Sequence, residues 1–268
     1  MTIRDFRPRV REQRGISPVQ TSILLSFFAI TVLLQICYPL THGNLLRYVT
    51  FLIVIFSALF SLYHAILNKG TPVAFAIFFI TITYSYTAEL IGVKLHWPFG
   101  FYHYDPSLGF SFAGVPFLVT LAWFSIVYPV LISAQRALKN WKFLYGALGI
   151  AAWDLFLDPE MVHDHRWIWE KTSPHFPLEA GIPLSNFFGW LLAGIGLFSL
   201  LLLLPVTSRR NSATFTLPYL YLWWSIISGV IGNAFFFHRP GVAFIGGLIF
   251  LAWMVPVIYK KQLGDSEE

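Results

Sequence analysis

At 268 residues, 56 % hydrophobic and 12 % charged, with a net charge of +5, the chain is too apolar for a soluble domain, where roughly 25 % of residues are charged. The positive surplus needs no nucleic acid, because basic loops against anionic lipid account for it. A single cysteine, Cys37, excludes a disulfide and a cysteine metal site; within an apolar run it reads as a small buried side chain.

Eight apolar runs long enough to cross a hydrocarbon core of about 30 Å follow one another. They cover 20–40, 46–67, 71–93, 114–135, 142–158, 182–205, 216–237 and 241–259. The first follows an Arg-rich lead that resembles a signal peptide. Its apolar stretch exceeds the roughly 7–15 residues of such a segment, however, so a retained helix is expected. The fifth is short and ends in Asp154 and Asp158. Pro and Gly within the runs do not break the assignment, since neighbouring helices satisfy freed backbone groups. The expected fold is all-α: a polytopic membrane helix bundle forming one domain over 20–260, between a basic lead (1–19) and a short tail (261–268).

Eight crossings place both termini on one side. That side receives Arg4, Arg7, Arg9, Arg11, Arg14, Lys69, Arg136, Lys139, Lys142, Arg209, Arg210, Lys260 and Lys261. The other receives Arg47, Lys94, Arg166, Lys171 and Arg239. The positive-inside bias therefore predicts a multi-pass protein of the cell membrane with cytoplasmic ends.

The two longest connections, 94–113 and 159–181, then lie outside, and they carry Trp97, Phe99, Phe101, Tyr102, Tyr104, Trp167 and Trp169. Two readings stay open. The rings form an aromatic belt at the headgroups, or both loops fold back as a cap over a pocket in the bundle.

Nearly all acids and histidines gather at this same outer end. Ionisable groups near a bilayer core are costly and mark functional sites. Glu89 lies roughly 6 Å inside the outer end of its run at 1.5 Å per residue. Asp154 and Asp158, spaced i, i+4, share one helix face. Asn186, Asn233 and His238 reach the same layer from two further helices. Taken singly, each also reads as a helix-end group meeting lipid headgroups. Taken together, buried carboxyl groups in an aromatic setting suggest a proton donor, because neighbouring acids cannot all ionise cheaply. The rings could line a slot for a long apolar ligand, or steady a cation at about 2 kcal/mol or more each.

Other chemistries lack their motifs. There is no H-E-x-x-H and no G-x-S-x-G. His163 and His165, two apart, point away from each other on a helix, and no metal site is expected. A proton-coupled transporter would hold polar groups near the midplane and show paired broken spans, neither of which is evident. A non-enzymatic scaffold that binds lipid or another long apolar ligand would tolerate loss of the carboxylates.

Several ordered blocks resemble a known family. They are Thr87-Ala88-Glu89-Leu90-Ile91-Gly92-Val93, Trp97-Pro98-Phe99-Gly100, Tyr102-His103-Tyr104, Gly114-Val115-Pro116 with Ala122-Trp123, Trp153-Asp154-Leu155-Phe156-Leu157-Asp158-Pro159-Glu160-Met161-Val162, and Gly181-Ile182-Pro183-Leu184-Ser185-Asn186-Phe187-Phe188-Gly189-Trp190. Together, over about 84–190, they resemble the membrane-bound carotenoid hydratases of the CruF type (bisanhydrobacterioruberin hydratases and carotenoid 1,2-hydratases). From His163 to Glu179 only Trp167-x-Trp169-Glu170 fits, and much of the remaining acid and histidine content there reads as that of an ordinary wet loop.

The resemblance implies addition of water across the C1=C2 bond of an acyclic carotenoid end group, giving a tertiary alcohol without a cofactor. It implies a carotenoid substrate held in the bilayer among membrane lipids, leaves room for contact with other carotenoid enzymes, and involves no nucleic acid. Depth and spacing, rather than the family, select Glu89, Asp154 and Asp158 as the acid/base set. Tyr102, His103, Tyr104, Asp105 and Asn186 are candidates for positioning water or the end group. Trp97, Trp153 and Trp190 are candidate lining.

Overall fold

The computed structural model describes residues 16–177, 179–204 and 216–266, with side chains to 259. Eight helices run in chain order: α1 Pro18–Cys37, α2 Gly43–Lys69, α3 Thr71–Leu95, α4 Phe117–Ala137, α5 Lys142–His163, α6 Leu184–Leu201, α7 Thr216–Ile231 and α8 Pro240–Ser266. A 3-10 turn, Tyr38–Leu40, extends α1, and a π turn, Gly232–Phe236, extends α7.

Local chemistry explains where these helices start and stop. Ser17 and Gln20 form a reciprocal capping box before α1, with Pro18 in its first turn. Gly70, at φ +87°, stops α2 and starts α3 in a conformation that favours glycine. His96 closes α3 in the left-handed region.

Seven described helices are long and apolar enough to cross a membrane, and the protein is an all-α polytopic membrane bundle. α5 is as long as its neighbours but carries Lys142, Asp154, Asp158 and Glu160. It is tolerable because it packs against α4, α6 and α8 rather than facing lipid. α4 lies at the centre, with every residue from Trp123 to Ala134 buried. α5 and α6 meet closely through small residues: a Cβ on Gly194 would stand 2.8 Å from the Cα of Ala147.

Some expectations need amending. α5 runs through Pro159 to His163, so acids assigned partly to a loop sit on a helix. Cys37 is exposed rather than buried. Of the basic residues that set the expected sidedness, Arg4, Arg7, Arg9, Arg11, Arg14, Arg209 and Arg210 lie outside the described residues.

The two long loops are joined. Strands β1 (Tyr102–Tyr104) and β4 (Trp167–Trp169) pair antiparallel, with Tyr102 opposite Trp169 and Tyr104 opposite Trp167. Two further bonds extend the pairing: Asp105 N donates to Arg166 O, and Glu170 N donates to Phe101 O, each at 2.8 Å. The strand alternation turns Tyr102, Trp167 and Trp169 inward and leaves His103 and Ile168 outside. Hairpin β2–β3 (Ser111–Phe112, Val115–Pro116) leads into α4, and β5–β6 (His175–Phe176, Glu179–Pro183) leads into α6. These loops are a cap, and the stretch after His163 is not simply a wet loop. Arg166, Trp167 and Trp169 are buried within it, and Arg166 donates to Ser107 at 2.8 Å. Among its acids and histidines, His163, His165, Glu170 and His175 are exposed and fit the solvated description.

Candidate active site

Beneath the cap lies an apolar cavity of about 450 Å³, lined by residues of α1 through α7 and of the paired loops. Two carboxyl clusters are built at it, one from α3 and one from α5.

The first centres on Glu89 of α3, which is only 4 % exposed. Tyr102 OH and Tyr104 OH donate to Oε2, the latter at 2.7 Å, and Trp123 Nε1 donates to Oε1 at 3.0 Å. One carboxyl thus collects three donors from the cap and the neighbouring helix. Burial, then the charge of Glu89, holds both phenols far above their ordinary value, so both remain hydrogen-bond donors. Tyr102 can come this close because Gly92, one turn on from Glu89, has no side chain. A Cβ there would lie 2.6 Å from the Tyr102 oxygen.

The second cluster is the pair predicted from i, i+4 spacing. Asp154 and Asp158 are each 3 % exposed, and the amide nitrogen of Asn186 on α6 donates to both, to Asp154 Oδ2 at 3.2 Å and to Asp158 Oδ2. Asp158 also accepts from Trp167 Nε1 of the cap at 3.2 Å. Asp158 lines the cavity, whereas Asp154 stands one turn behind it, its Oδ1 buried without a hydrogen-bond partner.

Aromatic rings fill the wall between the clusters. Trp123 and Trp190 stack with centroids 4.4 Å apart and planes 15° apart. Trp153 and Phe99 meet Trp190 edge-on, each at 6.3 Å. Trp169 fastens the cap by donating to the Phe99 carbonyl at 3.0 Å.

Of the predicted residues, Glu89, Asp158, Tyr102, Tyr104, Asn186, Trp153 and Trp190 line this one cavity, with Asp154 behind them. Three are not brought to it. Trp97 is 59 % exposed, His103 pairs with Glu170 on the outer surface at 3.4 Å, and Asp105 caps the turn Pro106–Leu108. Asn233 is buried but bonds to the Gly229 carbonyl of its own helix, and His238 is exposed.

Sequence reasoning passed over Trp123, Trp167, Glu160 and Tyr38 as site residues, although all four line the cavity. For Trp123 a signal existed. It lies as far into α4 from its start as Glu89 lies from the end of α3, so antiparallel neighbours place both at one depth. Trp167 had none, because its inward direction depends on strand register.

Over 118 residues the chain is 36 % identical to the bisanhydrobacterioruberin hydratase of Haloarcula japonica, a match covering 41 % of this chain and 39 % of that protein. No solved structure matches. Residues 48–253 match the family described as carotenoid biosynthesis protein. A multi-pass membrane protein with a role in carotenoid biosynthesis, the chain belongs to that family.

Proposed function

We propose that this protein is a carotenoid hydratase that adds water across the C1=C2 bond of an acyclic end group, without a cofactor. The observation that carries the reading is the Asn186-bridged carboxyl pair, whose Asp158 lines the same aromatic cavity as Glu89. Two acids this close share a proton rather than both carrying charge, and Asp158 is the one that meets the cavity.

Asp158 delivers that proton to C2. The π electrons of C1=C2 form the new C–H bond, leaving a tertiary cation at C1. Ring faces of Trp153 and Trp190 and the negative charge of Glu89 stabilise it. Water bonds to C1 through oxygen, Glu89 takes the excess proton, and return of that proton to the Asp154–Asp158 pair closes the cycle. Alkene and water become a tertiary alcohol with nothing oxidised or reduced. The cap excludes bulk water, which would otherwise screen these charges. The chain works in the cell membrane with both termini cytoplasmic, where its substrate is dissolved in lipid.

The test is expression in a host that accumulates an acyclic carotenoid, with pigments examined by mass. The active chain adds one water per reacted end, and Asp158→Asn abolishes the gain. Full conversion by Asp158→Asn, Asp154→Asn and Glu89→Gln alike would remove these residues from the mechanism.

A further inference from the structure

The cavity has two unlike ends. At one, buried carboxyl and aromatic groups enclose it beneath the cap. At the other, its wall passes between α1 and α7. Among the described lining residues, only four are exposed: Ile36 and Leu40 on α1 and its 3-10 turn, and Ile231 and Phe236 on α7 and its π turn. All four are apolar and lie in the last turns of the apolar segments Pro18–Leu40 and Thr216–Phe236, so the cavity meets the lipid there, close to the boundary of the hydrocarbon.

One polar contact spans this opening. Trp224 Nε1 on α7 donates to Gln35 Oε1 on α1 at 2.7 Å, and both residues line the cavity. Hydrocarbon offers no water to these groups, so they pair across the helices. The seam beside them is lightly packed: α1 is held mainly by α2 and touches α7 sparsely, and within α1 only Leu24 and Thr31 are buried. The enclosed space suits a ligand of ordinary size. It admits one end of a long polyene, and the remainder of such a chain has to lie outside.

We propose that the seam between α1 and α7 is a lateral portal, clasped by Gln35 and Trp224. A long linear polyene enters through it from the bilayer end-first, and the rest of its chain stays in lipid while the end group meets Asp158 and Glu89. The identity of the ligand rests on the hydratase reading, but the position of the portal does not.

The test uses full-length protein in detergent with lycopene, an acyclic polyene, as probe. Bound pigment is read by absorbance, which requires no reaction. In a Cys37→Ser background, Gln35→Cys and Trp224→Cys are bridged by a cleavable bis-thiol reagent after folding. The unbridged form takes up lycopene, bridging lowers uptake at least tenfold, and cleavage of the reagent restores it. A second variant, Ser228→Trp, enlarges a residue of α7 that lines the cavity and loses uptake, whereas Ser228→Ala keeps it. Equal uptake by bridged and unbridged protein, or none by either, overturns the portal. Hydration that proceeds unchanged through the bridged form overturns the portal and leaves the hydratase reading standing. Uptake by the wild type without hydration overturns that reading and leaves the portal.

Discussion

Trp123 donates its indole N–H to Oε1 of Glu89 at 3.0 Å, linking the start of α4 to the end of α3 at the level of the cavity. Because the same indole stacks on Trp190, the bond orients both the carboxyl and the aromatic wall. Trp123→Phe keeps a ring but leaves a buried acceptor unpaired. The expected loss is about 100-fold in hydration rate, with about 1–3 kcal/mol of stability. Initial rates in isolated membranes and thermal unfolding in detergent measure the two. A rate within twofold of wild type would take this donor out of the mechanism.

Asn186 donates to both Asp154 and Asp158. Asn186→Leu retains the volume and removes the bridge, leaving Trp167 as the donor that still holds Asp158. Hydration should fall by about 100-fold or more, the scale of losing a positioning contact, while pigment binding persists. Parallel measurement of bound carotenoid and product separates these effects; loss of binding alone would make Asn186 a packing residue.

Gly92→Ala tests how the cap reaches Glu89. The added methyl would meet the Tyr102 oxygen at 2.6 Å and Phe99 at 2.9 Å, pushing the phenol off the carboxyl. A displacement near 1 Å costs on the order of 100-fold in rate. Alanine otherwise favours a helix interior by about 1 kcal/mol over glycine, so activity should suffer more than stability. Unchanged turnover would mean that the Tyr102–Glu89 bond is dispensable.

Asp105 supplies a pH dependence away from the site. Hydrogen bonds from Ser107 hold its carboxyl below the usual aspartate value, with Ser107 N at 2.7 Å from Oδ1. A lowered folded-state value means that this stabilisation is complete above the unfolded value of about 3.9 and is lost as pH falls through the folded one. Asp105→Ala should lower stability by about 1 kcal/mol near neutrality, as for loss of a cap. Thermal unfolding across pH should show a constant gap above about pH 5 that narrows toward pH 3. A gap independent of pH would mean the carboxylate charge is not what holds the turn.

The helices were readable from hydropathy alone because lipid tolerates few charges and no unpaired backbone. The runs at 46–67 and 71–93 correspond to Gly43–Lys69 and Thr71–Leu95. The carboxyl pair was equally readable, because i, i+4 spacing on a helix is a local property. Trp97 and Trp169 show where such reading stops. Both are loop tryptophans in an acidic, aromatic context, yet one is 59 % exposed and the other 7 %. Trp169 is turned inward by β1–β4 pairing between segments distant in sequence, where a shift of one residue would exchange the inward and outward faces, whereas Trp97 lies before β1 and outside that pairing.

By itself, then, the sequence determined the membrane solvent, the helices and the depth of Glu89, Asp154 and Asp158, since burial cost and helical period act locally. Only the tertiary structure decided which rings close over those acids, that Asn186 bridges the pair, and that α1 and α7 share the wall of the cavity. Each of these depends on how separate segments pack, and their spacing along the chain does not encode it.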